Sequence, residues 1–332
     1  MASRLDLPHR PRRNRKTPAI RGLVRETTLR PEDLIYPLFL HEGEEDVAIR
    51  SMPGCHRWSV EGLVEEVRRS AGEGIAAFVL FPAIAEEKKT PGAEECHNPE
   101  GLVPRAIRAI REAVPHVAVI TDVALDPYNS DGHDGIVERR AGGELHVIND
   151  RTIEVLCRQA LCHAEAGATV VAPSDMMDGR IGAIRDALDE AAHEEVSILS
   201  YAAKYASAFY GPFRGALDSA PKEGDKKTYQ MDPANRREAI REAALDEDEG
   251  ADMLMVKPAG PYLDVISAVR EASELPVAAY QVSGEYLMIK SAAAAGWIDE
   301  KEAAFESLMG IKRAGADMIL SYFAKNIVAA IR

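Results

Sequence analysis

The sequence predicts a closed (β/α)8 barrel, a TIM barrel, with an extended basic N-terminal arm. Eight short apolar segments alternate with segments of helical spacing over about 300 residues, which is the length of one such barrel. Three helices end in the same way before a strand, at Gly167-Ala168-Thr169, Gly250-Ala251-Asp252 and Gly315-Ala316-Asp317. Glycine there is the usual left-handed helix stop. Because no GxGxxG loop follows any strand, an open nucleotide-binding sheet is disfavoured.

The predicted strands are continuous apolar runs, as expected where helices cover a parallel sheet. They span residues 34–40, 77–81, 117–123, 169–172, 197–201, 253–256, 277–281 and 318–322. The predicted helices include residues 60–70, 102–113, 152–165, 181–192, 236–245, 262–274 and 300–313. Residues 1–30 form the arm, and residues 31–332 form the barrel. In this fold the chemistry gathers where strands end and loops begin.

The sixth strand ends on a lysine, Lys257, followed by Pro258-Ala259-Gly260. A strand end of a barrel faces the cavity at the carboxyl side, so we expect Lys257 to point into it. Burial lowers the pKa of an ammonium and leaves a neutral amine that can form a Schiff base with a ketone. The alternative is a lysine that extends to the surface or pairs with a carboxylate.

A second lysine, Lys204, ends the adjacent fifth strand and is expected at the same rim. Two like charges in one pocket lower each other's pKa, which adds to the effect of burial. The pair therefore favours amine chemistry. The alternative is two lysines that are each bound to an acidic loop.

The loop after the third strand is rich in carboxylates, among them Asp126 and Asp134. Carboxylate and amide oxygens suit a hard cation such as Mg²⁺, but the same composition also suits a solvated turn. Asp122 lies within the strand itself and is the stronger candidate for a polar role inside the barrel. The four cysteines include no CxxC pair, so neither a disulfide framework nor a structural zinc site is expected.

Residues 205–230 form a long loop rich in Gly, Pro and charge, a length typical of an active-site lid. Arg214 and Lys226 in this lid are candidates to bind a carboxylate, and the alternative is two ordinary surface cations. Ser283 and Tyr322 follow or end the last two strands and are candidate donors to a second carboxylate. Alternatively, they cap a turn or fill the wall.

Charge is distributed unevenly along the chain. The net charge is −14, yet residues 1–30 carry nine Lys/Arg against two acidic residues, which leaves the remainder near −21. A nucleic-acid tail is disfavoured, because the arm lacks aromatic residues and an acidic body repels phosphates. We expect the arm to lie across an acidic neighbouring subunit, with a transit peptide as the weaker alternative. No apolar run approaches the roughly 20 residues needed to span a bilayer, and there is no apolar signal core, so a soluble, cytoplasmic protein is predicted.

Together these motifs resemble the porphobilinogen synthase (5-aminolevulinate dehydratase) family from Arg10 to Arg332. The most specific matches are Met255-Val256-Lys257-Pro258-Ala259, Ser200-Tyr201-Ala202-Ala203-Lys204-Tyr205, Phe209-Tyr210-Gly211-Pro212-Phe213-Arg214 and Ala172-Pro173-Ser174-Asp175-Met176-Met177-Asp178-Gly179-Arg180. The resemblance implies condensation of two 5-aminolevulinates to porphobilinogen with loss of two waters. It assigns the Schiff-base lysine to Lys257, with Lys204 as partner for the second substrate. It places Arg214 and Lys226 at one substrate carboxylate, and Ser283 and Tyr322 at the other.

The resemblance also bears on metals and assembly. Ala124, Asp126 and Asp134 stand where zinc-dependent members of the family carry three cysteines, so this chain resembles the magnesium-type branch and no active-site zinc is expected. The family's allosteric magnesium site matches Glu242, and the family implies a homo-octamer with the arm around a neighbour. Two other functions stay open at this point. A one-lysine Schiff-base aldolase or lyase needs only Lys257, and a non-catalytic assembly binds a carboxylated metabolite without turning it over.

Overall fold

The computed structural model describes residues 7–217 and 220–331. Eight parallel strands form its centre, and the last strand pairs with the first through Leu34 with Ile319 and Ile35 with Leu320. The barrel strands are β1 Leu34–His41, β2 Ala77–Ala83, β3 Ala118–Val123, β4 Val170–Pro173, β5 Ser197–Lys204, β6 Met253–Lys257, β7 Val277–Gln281 and β8 Met318–Ser321. The closing pair confirms the predicted (β/α)8 barrel.

Helices lie between the barrel strands and cover their outer face, except for the first, which belongs to the exposed N-terminal arm, and the sixth, which belongs to the lid. They are α1 Pro18–Leu23, α2 Val60–Gly72, α3 Leu102–Ala113, α4 Asn149–Glu165, α5 Arg180–Glu190, α6 Gly211–Leu217, α7 Arg237–Asp248, α8 Leu263–Ala272, α9 Ser283–Ala294, α10 Glu300–Ala314 and α11 Ala324–Val328. No helix within the described residues is both long enough and apolar enough to cross a membrane.

Local signals place these boundaries. Helix α2 begins after Ser59, whose hydroxyl accepts a hydrogen bond from Gly62 N, and α10 begins after Asp299, which caps Glu302 N in the same way. Gly250 and Gly315 end α7 and α10 with φ of 101° and 120°, in the left-handed region that favours glycine. The recurring glycine stops that the sequence predicts are therefore present in the structure.

Some elements were missed because their sequence signal is weak. Helix α9 carries apolar residues around much of its surface, so its periodicity does not stand out. Two short hairpin strands, Val137–Arg139 and Leu145–Val147, cross the loop between β3 and α4. Two more, Val47–Ala48 and His56–Trp58, extend the sheet beside β1. Strands of two or three residues are too short to show a period.

Candidate active site

Lys257 and Lys204 are direct partners in the parallel ladder between β6 and β5. Each side chain is buried, with 6% of the residue exposed. Partners on adjacent parallel strands project from the same face of the sheet. Their register therefore places both lysines on the same face of the sheet, at the carboxyl ends of β5 and β6.

A bulge in β5 makes this register possible. Leu254 pairs with Ser200, but Val256 pairs with Ala203, so Met255 alone lies opposite both Tyr201 and Ala202. Tyr201 and Lys204 are three residues apart, and strict alternation would place them on opposite faces of the strand. Because of the extra residue, both contribute to the interior.

The amine of Lys257 lies among aromatic rings. Its Nζ is 4.6 Å from the ring centre of Tyr280 and 5.1 to 5.3 Å from those of Tyr201, Tyr210 and Phe213. Burial and the charge of Lys204 together lower the pKa of Lys257 to about 7, against the opposing effect of nearby carboxylates. A substantial fraction of Lys257 is thus neutral near neutral pH, as nucleophilic attack requires.

Lys204 is held by oxygen atoms on two sides. Its Nζ donates to the backbone carbonyl of Ser174, at the end of β4, and to Oδ2 of Asp134 at 3.3 Å. The two lysines therefore differ in environment, since one lies against rings and the other against a carboxylate and a carbonyl. Such a difference allows the two amines to carry different steps.

The acidic loop after β3 binds lysines. Lys226, from the lid, donates to Oδ1 of Asp134 at 2.8 Å and to Oδ2 of Asp126 at 3.2 Å. Burial opposes the charge on Asp134, yet the two lysines hold the pKa of this carboxyl below its usual value. Burial likewise opposes the charge on Lys226, and Asp126 and Asp134 nevertheless raise its pKa. This cluster attaches the lid to the loop after β3 and leaves Asp134 anionic.

Asp122 lies inside the barrel, as predicted. Burial and the charge of Asp126 together raise its pKa to about 7, whereas Lys257, Lys204 and a hydrogen bond from Ser174 act in the other direction. A carboxyl that titrates near neutrality beside an amine with a similar pKa is able to exchange protons during imine chemistry.

The remaining predicted side chains lie around this centre. Ser283 Oγ accepts a hydrogen bond from Phe213 N at 3.0 Å and donates to Phe209 O at 3.4 Å, so it holds the lid backbone. Tyr322 shares a hydrogen bond with Tyr280, oxygen to oxygen, at 2.7 Å. Arg214 belongs to α6, and its side chain lies outside the described part of the structure.

The sequence profile of the delta-aminolevulinic acid dehydratase family matches residues 8–330. The chain belongs to this family. The chloroplastic delta-aminolevulinic acid dehydratases of Physcomitrium patens and Oryza sativa subsp. japonica are 59% and 57% identical to it. Those alignments cover 97% and 99% of this chain and 74% and 77% of the relatives.

A solved structure gives the same result. The delta-aminolevulinic acid dehydratase (porphobilinogen synthase) of Toxoplasma gondii ME49, in complex with the reaction product porphobilinogen, matches with a TM-score of 0.95 at 55% identity. The match covers 98% of this chain and 92% of that chain. The prediction of a dehydratase that condenses two 5-aminolevulinates to porphobilinogen in tetrapyrrole biosynthesis is confirmed by these findings.

The cytoplasmic location predicted from the sequence is wrong, because the dehydratases of these two plants, and those of Selaginella martensii and Glycine max, are named chloroplastic. The prediction rested on the lack of an apolar signal core. That observation does not bear on plastids, since transit peptides are Arg-rich and amphipathic and have no long apolar core.

Glu242 lies on α7, apart from the lysines. It is half-buried and borders a cavity of about 460 Å³ together with Asp178, Glu238 and Asn235. Burial raises the pKa of Glu242, and the charge of Asp246 raises it further. Within residues 7–217 and 220–331, no three His, Cys, Asp or Glu side chains come together closely enough to hold a metal ion. A magnesium at Glu242 therefore stays a prediction.

The aromatic surroundings of Lys257 were missed by sequence reasoning. Tyr201 and Tyr280 lie on β5 and β7, and their positions on the strands are the only signal that could have revealed them. Tyr210 and Phe213 come from the lid, where only the cations Arg214 and Lys226 were predicted as site residues from their chemistry. The environment that lowers the lysine's pKa is thus provided by four rings from three separate segments.

Proposed function

We propose that this dehydratase joins its two substrates through imines on Lys257 and Lys204. The observation that carries the proposal is the pair of buried amines in register at one end of the barrel. A condensation of two identical ketones needs two binding positions that differ chemically, so that one molecule is activated and the other is oriented towards it. The aromatic setting of Lys257 and the anionic setting of Lys204 supply that difference.

At Lys257, the neutral nitrogen attacks the ketone carbon of a first 5-aminolevulinate. The carbonyl oxygen leaves as water after proton transfers, and a protonated imine forms that makes the neighbouring carbon acidic. Asp122 interacts electrostatically with Lys257 and has a pKa of about 7, so it is assigned the role of giving and taking these protons. Lys204 forms the corresponding imine with the second molecule.

The substrate carboxylates are assigned to the predicted groups on two sides of the cavity. Arg214 and Lys226 belong to the lid, and Ser283 and Tyr322 lie at the ends of β7 and β8. Support for Lys226 comes from its burial beside Asp126 and Asp134, where its ammonium is already desolvated. Support for Ser283 comes from its bond to the lid backbone, which couples lid position to this side of the site.

Magnesium is assigned to Glu242. Asp246, Asp178 and Glu238 add negative charge around it, and Arg180 offsets only part of that charge. A hydrated hard cation fits a single carboxylate in an acidic cavity, because Mg²⁺ keeps several of its waters. When bound, it would supply positive charge at this cavity. Asp126 and Asp134 are assigned to lysines instead, since Lys226 and Lys204 already bind both oxygens of Asp134 and one oxygen of Asp126.

The octamer predicted from the family is part of the same proposal. The arm, residues 1–30, is where we expect subunit contact. In its described part, residues 7–26 are exposed except for half-buried Ile20, and Leu23 exposes 81% of its surface. An extended basic segment with exposed apolar side chains suits the acidic surface of a second copy. The mass of the native assembly, with and without residues 1–30, tests this assignment.

Trapping with borohydride in the presence of 5-aminolevulinate tests the imine mechanism directly. Peptide mass mapping should find a reduced adduct on Lys257. A folded protein, supplied with magnesium, that gives no lysine adduct would overturn the mechanism. Lys204→Ala separates the proposal from a one-lysine aldolase, which would keep its turnover, whereas we expect near-complete loss of porphobilinogen formation. A metabolite-binding assembly would bind the substrate and release no pyrrole.

A further inference from the structure

Arg180 is a fully buried arginine that the mechanism above does not use. Its Nη1 donates to Asp246 Oδ1 at 3.0 Å, its Nη2 lies 3.3 Å from Asp246 Oδ2, and its Nε lies 3.6 Å from Asp175 Oδ2. It begins α5, Asp246 is on α7, and Asp175 follows β4. A buried ion pair of this kind contributes little net stability, because desolvation cancels much of the attraction. A role in placing neighbouring groups accounts better for its contacts.

The same guanidinium contacts β5 at the bulge. Nη2 donates to Ser200 Oγ at 3.3 Å and to the carbonyl of Tyr201 at 3.4 Å. The Ser200 hydroxyl in turn donates to Asp246. A bulge leaves the extra residue of a strand without its regular ladder partner, and a buried carbonyl needs a donor. Arg180 provides one where the register of β5 changes.

The position of Lys204 depends on that change of register. Without the extra residue, Lys257 would lie opposite Ala203, and Lys204 would face the helices. Arg180 also approaches Asp175, the residue after Ser174, whose carbonyl accepts from Lys204. The Arg180 side chain thus contacts the strand that carries Lys204. It also contacts the turn whose carbonyl accepts a hydrogen bond from the Lys204 ammonium.

We propose that Arg180 is a positioning residue, which fixes the β5 bulge and the Ser174-Asp175 turn and thereby keeps Lys204 beside Lys257. This inference rests on the proposed roles of the two lysines. In Arg180→Lys, a single ammonium cannot contact Asp246, Asp175 and the β5 carbonyl together, because it lacks the planar fork of arginine. We expect porphobilinogen formation to fall by about 10²-fold, the effect of displacing a reacting group by roughly 1 Å.

The pH dependence of trapping at Lys257 identifies the cause of this loss. Lys204, Asp122, Asp126 and Asp134 are the charged groups that act on Lys257. If Arg180→Lys lets Lys204 move away, the repulsion between the two ammonium groups is lost and the pH midpoint of trapping at Lys257 rises. Lys204→Met removes that repulsion directly and serves as the reference for the size of the shift. In the double variant, Arg180→Lys should then add no further shift to that of Lys204→Met. A merely structural role would lower the yield of trapped protein and leave the midpoint unchanged.

Arg185 on the same helix offers a matched control. It donates to the carbonyls of Val196 and His193, before β5 begins, and does not contact the bulge. Arg185→Lys should keep both the turnover and the midpoint of the wild-type chain.

Ser200→Ala removes only the hydroxyl beside the bulge and keeps the ion pairs. If Arg180→Lys does not fold, Ser200→Ala provides the same test, and its pH midpoint of trapping at Lys257 should likewise rise. If Arg180→Lys and Ser200→Ala fold and trapping at Lys257 keeps its wild-type pH midpoint in them, the inference is overturned. Absence of any adduct in the wild-type chain would instead overturn the proposed mechanism.

Discussion

Asp134 and Lys226 form the shortest ion pair in the buried cluster of Asp126, Asp134, Lys204 and Lys226, with 2.8 Å between Oδ1 and Nζ. The other oxygen of Asp134 accepts from Lys204 at 3.3 Å. One carboxylate therefore joins a lysine of the lid to a lysine of the barrel. The position of the lid lysine and that of the second amine therefore depend on the same anion.

The first prediction concerns this shared anion. Asp134→Asn keeps the shape of the side chain but leaves two buried ammonium groups without their common counter-charge. Removing one partner of a buried ion pair costs about 3–5 kcal/mol, so we expect a comparable fall in the free energy of unfolding. Porphobilinogen formation should fall as well, mainly through a higher KM, because the lid is no longer held. Denaturant unfolding and steady-state kinetics measure the two effects.

Asp131→Asn is the matched control for this substitution. Asp131 belongs to the same loop, is half-buried, and accepts a hydrogen bond from Lys222 N through its backbone, which the substitution retains. It should change neither stability nor KM appreciably. Equal effects of the two substitutions would show that the loop as a whole matters and that the Asp134 bridge does not.

The second prediction concerns the pH at which Lys257 becomes reactive. Imine formation needs the neutral amine, so trapping should rise with pH through about 7, the pKa of Lys257. An anionic Asp122 favours the protonated lysine, and its removal should lower the pKa of Lys257 further. Trapping in Asp122→Asn should thus begin at lower pH, although porphobilinogen formation falls. A midpoint that is unchanged or higher would show that Asp122 does not act on this amine.

The sequence alone was sufficient for the barrel and for the two lysines. The strands are continuous apolar runs, and Lys257 and Lys204 stand at the ends of adjacent ones, so topology brings them to one rim. The β5 bulge could not be predicted. One extra residue interrupts the alternation of side chains, and the run from Ser200 to Lys204 is too short for that interruption to be visible in the sequence. The aromatic rings around Lys257 come from separate segments, and which rings meet is decided by packing.

The partners of the acidic loop were also outside what a sequence reveals. Asp126 and Asp134 have the composition of a cation site, and their cations are lysines. Lys226 is about 100 residues away along the chain, and only the folded lid brings it to Asp126.

The third prediction concerns stability in acid. His163 on α4 is fully buried, and neither ring nitrogen has a hydrogen-bond partner in the described part of the chain. Burial lowers its pKa to about 3, so between that value and about 6.5 the unfolded chain binds a proton that the folded chain does not. Stability therefore falls as the pH drops through this window. At pH 5 the cost is about 2 kcal/mol.

His163→Leu should remove this dependence and raise the free energy of unfolding, more at pH 5 than at pH 7. His193→Leu is the control, because His193 is half-buried and not in the core. Unfolding midpoints in denaturant at the two pH values measure the difference. A substitution that destabilises the chain equally at both would indicate that the ring is needed for packing.

The fourth prediction concerns magnesium at Glu242. A cation that binds only the folded protein raises its melting temperature in proportion to the logarithm of its concentration. We expect Mg²⁺ to do so for the wild-type chain, and Glu242→Gln to abolish most of the rise. Glu271→Gln on α8, away from the Glu242 cavity, should leave the rise unchanged. If Mg²⁺ raised the melting temperature of Glu242→Gln as much as that of the wild-type chain, the ion would bind at a site other than Glu242.

The last prediction concerns the contact between α9 and the lid. A Cβ added to Gly284 would lie 2.6 Å from Phe209 O and 2.8 Å from Phe209 Cα. Both are backbone atoms, so the lid has to move, and Ser283 loses its bonds to Phe209 and Phe213. Phe213 and Tyr210 are two of the rings around Lys257, and their displacement admits water to the amine. Gly284→Ala should therefore raise the pKa of Lys257, move trapping to higher pH and reduce kcat/KM.

Gly211, in the same lid, separates this effect from a general effect of an added methyl group. A Cβ there meets no heavy atom within 4 Å, and the backbone is already helical, with φ of −48°. Gly211→Ala should leave kcat/KM and the trapping midpoint unchanged. If Gly284→Ala also left both unchanged while α9 stayed folded, the lid would not depend on its contact with Gly284, and the low pKa of Lys257 would have to come from the barrel strands alone.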